Sequence, residues 1–363
     1  MTTLAPGTTA LGLTWRPLAP ADVPAWHGLV EDIERVDEPA ERYTPEDLQD
    51  ELLDGSWKDP ARDTLAGLDE GGVPRAFAQV EVRPGDTRSV RAFCWGGVHP
   101  DWRGRGVGRA VLAWQEEVAR AKVAAAGKDV PARVVVQAEE ELADRRRLLE
   151  RCGFTAARWY FDMTRPLDAE HPVPDIALDD GLRLVPYEPA LSEAVRAAHN
   201  EAFAEHWGSE PRAQEDWERA SVGARTFRPA WSFVVLDGEE VAGYTLASAY
   251  EQDWAAQGYS AGWTDLLGVR RPWRGRRLGA ALLAASMRAF AADGIERADL
   301  GVDSENATGA LALYTRLGYA PVRRTITYVK DVEPYPRARD RGARRLAVRS
   351  PGQTHDAGGQ PIG

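Results

Sequence analysis

Residues 102–112 read WRGRGVGRAVL, and residues 273–283 read WRGRRLGAALL. In both, a turn of glycine and arginine runs straight into an apolar, helix-forming segment. Gly104, Gly106 and Gly108 let the backbone turn tightly and approach a ligand closely. The helix that follows offers unpaired N–H groups and the positive end of its dipole. Flanking arginines add charge and fork-shaped donors. Together these parts form a cradle for a pyrophosphate. No Gly-Lys-Ser/Thr follows, so this is not a P-loop, and the glycine spacing does not open a dinucleotide fingerprint. A solvated arginine-rich turn capping a helix would read the same once; its repetition argues for the cradle.

The repetition extends along the chain. GLTWRPLAPAD (12–22) returns as GLRLVPYEPAL (181–191), and LLERCGF (148–154) returns as LYTRLGY (313–319). With the loops, the offsets are 169, 171 and 165 residues, in the same order. Three collinear matches indicate two copies of one domain. The expected domains are 12–166 and 180–332, joined by the Pro- and Asp-rich stretch 165–181. Each copy predicts an opening strand, two helices, two strands about a Gly-containing turn, and a strand leading into the loop. The helix after the loop carries an apolar stripe: Val107, Val111, Trp114 and Val118, or Leu278, Leu282 and Phe290. A buried-type strand (ARVVVQA; RADLGV), a helix and a terminal strand pair complete the copy. Strand–helix alternation after the loop makes the sheet partly parallel. The predicted class is therefore α/β, with two tandem domains, each a central mixed, partly parallel sheet flanked by helices. The tail, 333–363, is rich in Pro, Gly and Arg without periodicity and is expected to be disordered.

Composition sets the outer limits. The 363 residues are 44% hydrophobic and 28% charged, as in an ordinary globular protein. A net charge of −11 argues against a nucleic-acid partner. It is compatible with a cationic amine substrate, although solubility alone explains such a balance. No apolar run reaches the roughly 18 residues of a membrane span. The start, MTTLAPGTTALGL, lacks the features of a secretory signal, and two cysteines do not make a disulfide framework. A reducing cytoplasmic setting is expected, and no metal is expected. The oligomeric state is left open.

The run from Val98 through Pro100 and Trp102 to Gly108 resembles the coenzyme A loop of the GCN5-related N-acetyltransferase (GNAT) family, written (Arg/Gln)-x-x-Gly-x-(Gly/Ala). Arg103, Gly106 and Gly108 match it fully. In the second copy Arg274 and Gly279 match, and Arg277 replaces the middle glycine. A register shifted to Arg276, Gly279 and Ala281 also matches; the unshifted one keeps Val269 aligned with Val98. The resemblance covers almost all of the chain except the tail and implies acetyl-CoA as cofactor. It assigns Val98, Arg103, Gly104, Arg105, Gly106, Val107, Gly108 and Arg109 to the cofactor in the first copy. In the second it assigns Val269, Arg274, Gly275, Arg276, Arg277, Leu278, Gly279 and Ala280, with Asn306 near the start of the late helix.

The resemblance also implies catalytic roles. In the family a carboxylate on the strand before the loop often serves as base, and a tyrosine on the late helix often protonates the leaving thiolate. Asp265 lies four residues before Val269 and shares a face with Leu267 and Val269. It is a candidate base, or else an exposed or capping carboxylate at the strand's start. Tyr314, eight residues after Asn306, is the candidate acid, with a plain core tyrosine as the alternative. The first copy has Cys94, Leu149 and Glu141 where the second has Asp265, Tyr314 and Asn306. It is expected to bind coenzyme A or to serve structurally, with Cys94 as a buried small hydrophobe.

The family builds its acceptor pocket from the first two helices and their connection, here HNEAFAEHWGSEP (199–211). Glu201, His206 and Trp207 are candidates to recognise an amine through charge and a cation–π face, or are surface polar groups beside a packed indole. Trp231, Tyr250 and Trp263 are further candidates for the lining. The implied reaction is acetyl transfer from acetyl-CoA to a primary amine of a small molecule: an amino sugar, an amino acid derivative or an antibiotic-type metabolite. A protein Lys or N-terminal acetyltransferase and a non-catalytic acyl-CoA-binding module are the competing readings.

Overall fold

The alternating and buried-type apolar runs form strands that join into one sheet. In this computed structural model the structure describes residues 4–5, 7–53, 55, 57–305 and 309–332. The first half supplies strands β1 (Thr9–Ala10), β2 (Leu13–Arg16), β3 (Thr64–Leu68), β4 (Pro74–Val82), β5 (Val90–Val98), β6 (Ala132–Glu139) and β7 (Thr155–Pro166). The second supplies β8 (Leu182–Pro186), β9 (Phe233–Asp237), β10 (Glu240–Ser248), β11 (Ala261–Val269), β12 (Arg297–Asp303) and β13 (Ala320–Asp331). The helices of the first half are α1 (Val23–Asp37), α2 (Pro45–Leu53), α3 (Pro60–Asp63), α4 (Val107–Ala126) and α5 (Ala143–Arg151). Those of the second are α6 (Ser192–Ala202), α7 (Gln214–Trp217), α8 (Glu251–Gln257), α9 (Leu278–Ala292) and α10 (Ala310–Arg316).

The strand order is β1-β2-β3-β4-β5-β6-β13-β7-β12-β11-β10-β9-β8. Two neighbouring pairs are parallel, β5 with β6 and β11 with β12, each joined by the helix that follows a glycine–arginine loop. The stripes read from the sequence face the core: Val107, Val111 and Trp114 are buried on α4, and Leu278, Leu282 and Phe290 on α9.

The terminal strands differ from the expected pair in each copy. Each half ends in one long strand, and the pair forms between the halves. β13 lies between β6 and β7, and β7 lies between β13 and β12. The cores are completed across the join. Ile326, Tyr328 and Val332 bury into the first half's core, and Met163 into the second's. Each such side chain contributes roughly 1.5–3 kcal/mol on burial.

The connections between the strands that flank each loop strand also differ. In the first half β4 turns back to β5 through residues 83–89, a plain hairpin. In the second, β10 reaches β11 through α8, a helix that EQDWAAQ does not announce by any apolar period. Both connections reach into the opposite half, and this shapes the site.

Candidate active site

The two glycine–arginine loops have the same backbone course. A short 3-10 turn (Pro100–Trp102; Arg271–Trp273) ends at an extended arginine, Arg103 or Arg274. Gly104 and Gly275 then take φ of +75° and +80°. The residue capping the helix is left-handed in both, Gly106 at φ +87° and Arg277 at φ +61°. Arg277 thus holds the conformation that favours glycine, at about 1–2 kcal/mol for a residue with a Cβ. The next glycines lie close under a leucine. A Cβ at Gly108 would lie 3.1 Å from Leu148, and one at Gly279 would lie 3.2 Å from Leu313. The helix N-terminus behind each loop turns its N–H groups outward, which suits a pyrophosphate.

Several loop arginines are already engaged. Arg103 forms a two-pronged pair with Asp37 at 2.6 and 2.8 Å. Arg105 lies over the Trp102 ring at 4.9 Å. Arg274 donates to the Ala202 carbonyl at 2.9 Å. Arg276 reaches Asp179 of the linker at 2.8 Å, with Arg277 3.7 Å from the same carboxylate. Arg109 is exposed.

Beside each loop the sheet opens. β5 pairs with β6 only from Val90 to Phe93, and β11 pairs with β12 only from Ala261 to Thr264. Beyond these points the parallel strands part, so Cys94–Val98 and Asp265–Val269 have a free edge. Backbone N–H and C=O groups on that edge are available to a ligand threaded between the strands.

The two openings then diverge. The β4–β5 ladder runs without a break through Cys94. The β10–β11 ladder skips a residue: Leu246 faces Leu266, Ala247 faces Thr264, and Asp265 is left over as a bulge. A bulge re-aims a side chain. Asp265 accepts hydrogen bonds from the Ser248 hydroxyl and, at 2.9 Å, from the Tyr250 hydroxyl. Its side chain is open to solvent, yet surrounding protein displaces enough water to raise its pKa to about 6, while both hydrogen bonds pull the other way. In the first half Cys94 is buried, and burial pushes its thiol well up, so it is a packed small side chain. Tyr43, Trp95, Phe77 and Trp26 pack tilted or edge-on against one another in a separate core with α1 and α2.

Tyr314 lies on α10, whose Leu313 packs beneath Gly279. Its ring is buried against Tyr319, and burial raises its pKa to about 12. Its hydroxyl has no hydrogen-bond partner among the described residues. α10 begins at Ala310 after a left-handed Gly309. Asn306 lies outside the described residues.

A cavity of about 460 Å³ lies where the halves meet, beside Leu266, the neighbour of Asp265. His206 and Trp207 line it, as does His199. His199 shares a 2.6 Å hydrogen bond with Tyr244, and burial lowers its pKa to about 3, so it is neutral. Arg158 from β7 lies over the Trp207 ring at 5.0 Å. Glu201 and Trp263 do not line this cavity. Glu201 pairs with Arg270 at 2.7 Å, and Trp263 packs edge-on to Tyr250. Trp231 is a core residue against Phe290.

The opposite wall of the cavity comes from the first half: Arg83, Asp86, Arg91 and Tyr160. The 83–89 turn holds the acceptor segment by its ends. Glu210 accepts from the backbone N–H groups of Thr87, Arg88 and Ser89 at 2.8–3.1 Å and from the Thr87 hydroxyl. Arg88 and Arg91 donate to the carbonyls of Ala204 and Gly208. The reverse contact also exists: Asp253 of α8 accepts from the Arg42 N–H at 2.7 Å. None of this wall was marked in the sequence, because it depends on contacts more than 100 residues apart. Ser248 was not marked either, because its bond to Asp265 depends on the register of β10 against β11.

Each parted pair of strands beside a glycine–arginine cradle offers a place for a ligand that carries a pyrophosphate. The acetyltransferase (GNAT) family model matches residues 26–154 and 192–319. The chain belongs to this family, with two GNAT domains, and is an acetyl-CoA-dependent acetyltransferase. Its relatives include the mycothiol acetyltransferase of Thermobispora bispora, 33% identical over 261 residues, which span 69% of this chain and 78% of that protein. Among solved structures, a GCN5-related N-acetyltransferase from Sphaerobacter thermophilus superimposes with a TM-score of 0.70 at 24% identity, over 90% of this chain and 98% of that one. A tandem GNAT protein from the clavulanic acid biosynthesis pathway gives 0.64 at 21% identity, over 89% of this chain and 100% of that one. No described helix is long and apolar enough to cross a membrane.

Proposed function

We propose that the second half, residues 180–332, transfers an acetyl group from acetyl-CoA to the primary amine of a small molecule. The observation that carries this reading is the bulged Asp265, a carboxylate with a pKa near neutrality on an open strand edge beside a cavity. The amine nitrogen attacks the thioester carbonyl carbon, a C–N bond forms, and the C–S bond breaks. Asp265 takes the proton the amine loses. Tyr314, protonated at neutral pH, offers its proton to the departing sulfur. Free N–H groups on the edge of β11 would stabilise the negative oxygen that develops. The loop from Arg274 to Ala280, with Val269, would hold the cofactor's pyrophosphate; Asn306 is a further candidate contact.

The first half keeps the cradle from Val98 to Arg109 but has no carboxylate at its opening. Its role is to bind coenzyme A or to build the wall of its partner's cavity. A cavity of about 460 Å³ suits a small acceptor better than a peptide chain, and the name of the Thermobispora bispora relative also points to a small-molecule acceptor. We place the reaction in the cytoplasm. The test is thiol release from acetyl-CoA across a panel of small primary amines, with wild type beside Tyr314→Phe. Turnover of some amines, falling at least about 10-fold in the variant, supports the reading. Absence of turnover with every small amine, together with acetylation of a peptide, would overturn it.

A further inference from the structure

The charged groups around the cavity are matched with one exception. Asp86 is gripped by Arg91 at 2.7 and 3.1 Å. Arg83 pairs with Glu81 at 2.7 Å, and Arg219 lies 3.4 Å from Asp216. Glu210 is neutralised by the N–H groups of the 83–89 turn. Arg212 lines the same cavity and has no carboxylate within pairing distance among the described residues.

Arg212 is nonetheless held firmly. Its backbone N–H donates to Asn200 at 2.8 Å, and its carbonyl accepts from Arg196 at 2.8 Å. One guanidinium nitrogen, Nη1, donates to the Ser221 hydroxyl at 2.6 Å. The group lies over the Trp217 ring at 6.0 Å. Nε and Nη2 make no hydrogen bond among the described residues. They are the two donors of one edge of the planar fork, the edge that meets a carboxylate two-pronged. Arginine cannot shed its proton to escape burial. A partly buried, fixed guanidinium with no carboxylate in direct contact, and only Asp265 and Asp216 acting on it from farther off, is therefore poised for an anion brought by the ligand.

We propose that the acceptor amine carries a carboxylate and that Arg212 receives it, so that the substrate is an amino acid or a compound bearing an equivalent acid group. This rests on the reading of the second half as a small-amine acetyltransferase. Arg212 directly follows the acceptor segment and lines the cavity together with the first half's wall, and Leu266 links the cavity to Asp265. An acid group on Arg212 would leave the amine end of a small molecule to reach the base. The same guanidinium also acts on Asp265 through its field, and the test must separate the two roles.

The experiment compares alanine, phenylalanine and glutamate with their α-carboxamides as acceptors, in wild type, Arg212→Lys and Arg212→Gln. Wild type is expected to prefer the acids by roughly 10- to 100-fold in kcat/KM, mostly through KM, as for a hydrogen-bonded charge pair. Arg212→Gln should raise KM for the acids alone, and Arg212→Lys should recover part of it. Equal use of acid and amide by wild type would overturn the proposal. So would an equal loss for both classes in Arg212→Gln with a shifted pH profile, since that would make Arg212 only a neighbour that tunes Asp265. If no amine is acetylated, the functional reading fails, and calorimetric titration with the N-acetylated acids still decides the binding claim. Binding lost in Arg212→Gln supports it, and no binding to wild type overturns it.

Discussion

The two halves carry the same cradle at two different openings. Both loops take left-handed backbone at matching positions, and both lead into a helix over a parted pair of parallel strands. At the first opening the strand ladder is regular and Cys94 is packed. At the second, one extra residue in β11 puts Asp265 on the free edge, held by Ser248 and Tyr250. A one-residue bulge separates an opening with a packed thiol from one with a titratable carboxylate. The comparison teaches that a retained cofactor motif does not by itself locate the chemistry. It also shows how a duplicated domain finds a second use, since the first half walls the second half's cavity through its 83–89 turn.

Three changes would break or sharpen this contrast. The largest effect should come from separating the halves. Residues 1–166 lack β13, and 167–363 lack β7, so each core loses a strand that completes it. Either half expressed alone should fail to give a cooperative thermal transition, and mixing the two during refolding should restore one. Calorimetry checks this; two independently folded halves would show the exchanged strands to be dispensable.

Next is Asp265→Asn. Removing a general base should lower kcat/KM about 100-fold or more. Cys94→Ala should leave it within about 2-fold, since it creates only a small gap. In wild type the active form is the carboxylate. Log kcat/KM should therefore rise with pH through about 6 and level off above it, and the variant should lose that step. A pH profile of thiol release checks both.

The smallest effect should come from Glu210→Gln, which weakens the grip of the 83–89 turn on the acceptor segment. Losing charge-assisted hydrogen bonds at a partly exposed site should raise the amine KM roughly 3- to 10-fold. The KM for acetyl-CoA should move less, because Glu210 is bonded to the 83–89 turn and not to the Arg274–Ala280 loop. Steady-state kinetics with each substrate varied in turn distinguishes the two.

What the sequence disclosed follows from range. The cradles were readable because glycine, arginine and an apolar stripe sit within fifteen residues of one another. The duplication was readable because its landmarks keep their order. Asp265 was visible as a carboxylate on an apolar strand, but the bulge that re-aims it depends on which residue of β10 it faces. The exchange of β7 and β13 was hidden because each strand's partners lie more than 100 residues away, in the other half. Arg212 was one arginine among many until its neighbours' partners were known. α8 lacks a periodic signal.

The most direct test of the central claim uses the symmetry of the two loops. Gly108→Val and Gly279→Val each place a branched side chain where a single Cβ would already press on Leu148 or Leu313. Thiol release from acetyl-CoA with the best amine should be measured for both, with melting curves confirming that each remains folded. Chemistry in the second half predicts that Gly279→Val loses nearly all turnover while Gly108→Val keeps most of it. The opposite pattern, turnover lost in Gly108→Val and kept in Gly279→Val, would place the reaction at the first opening and contradict the account.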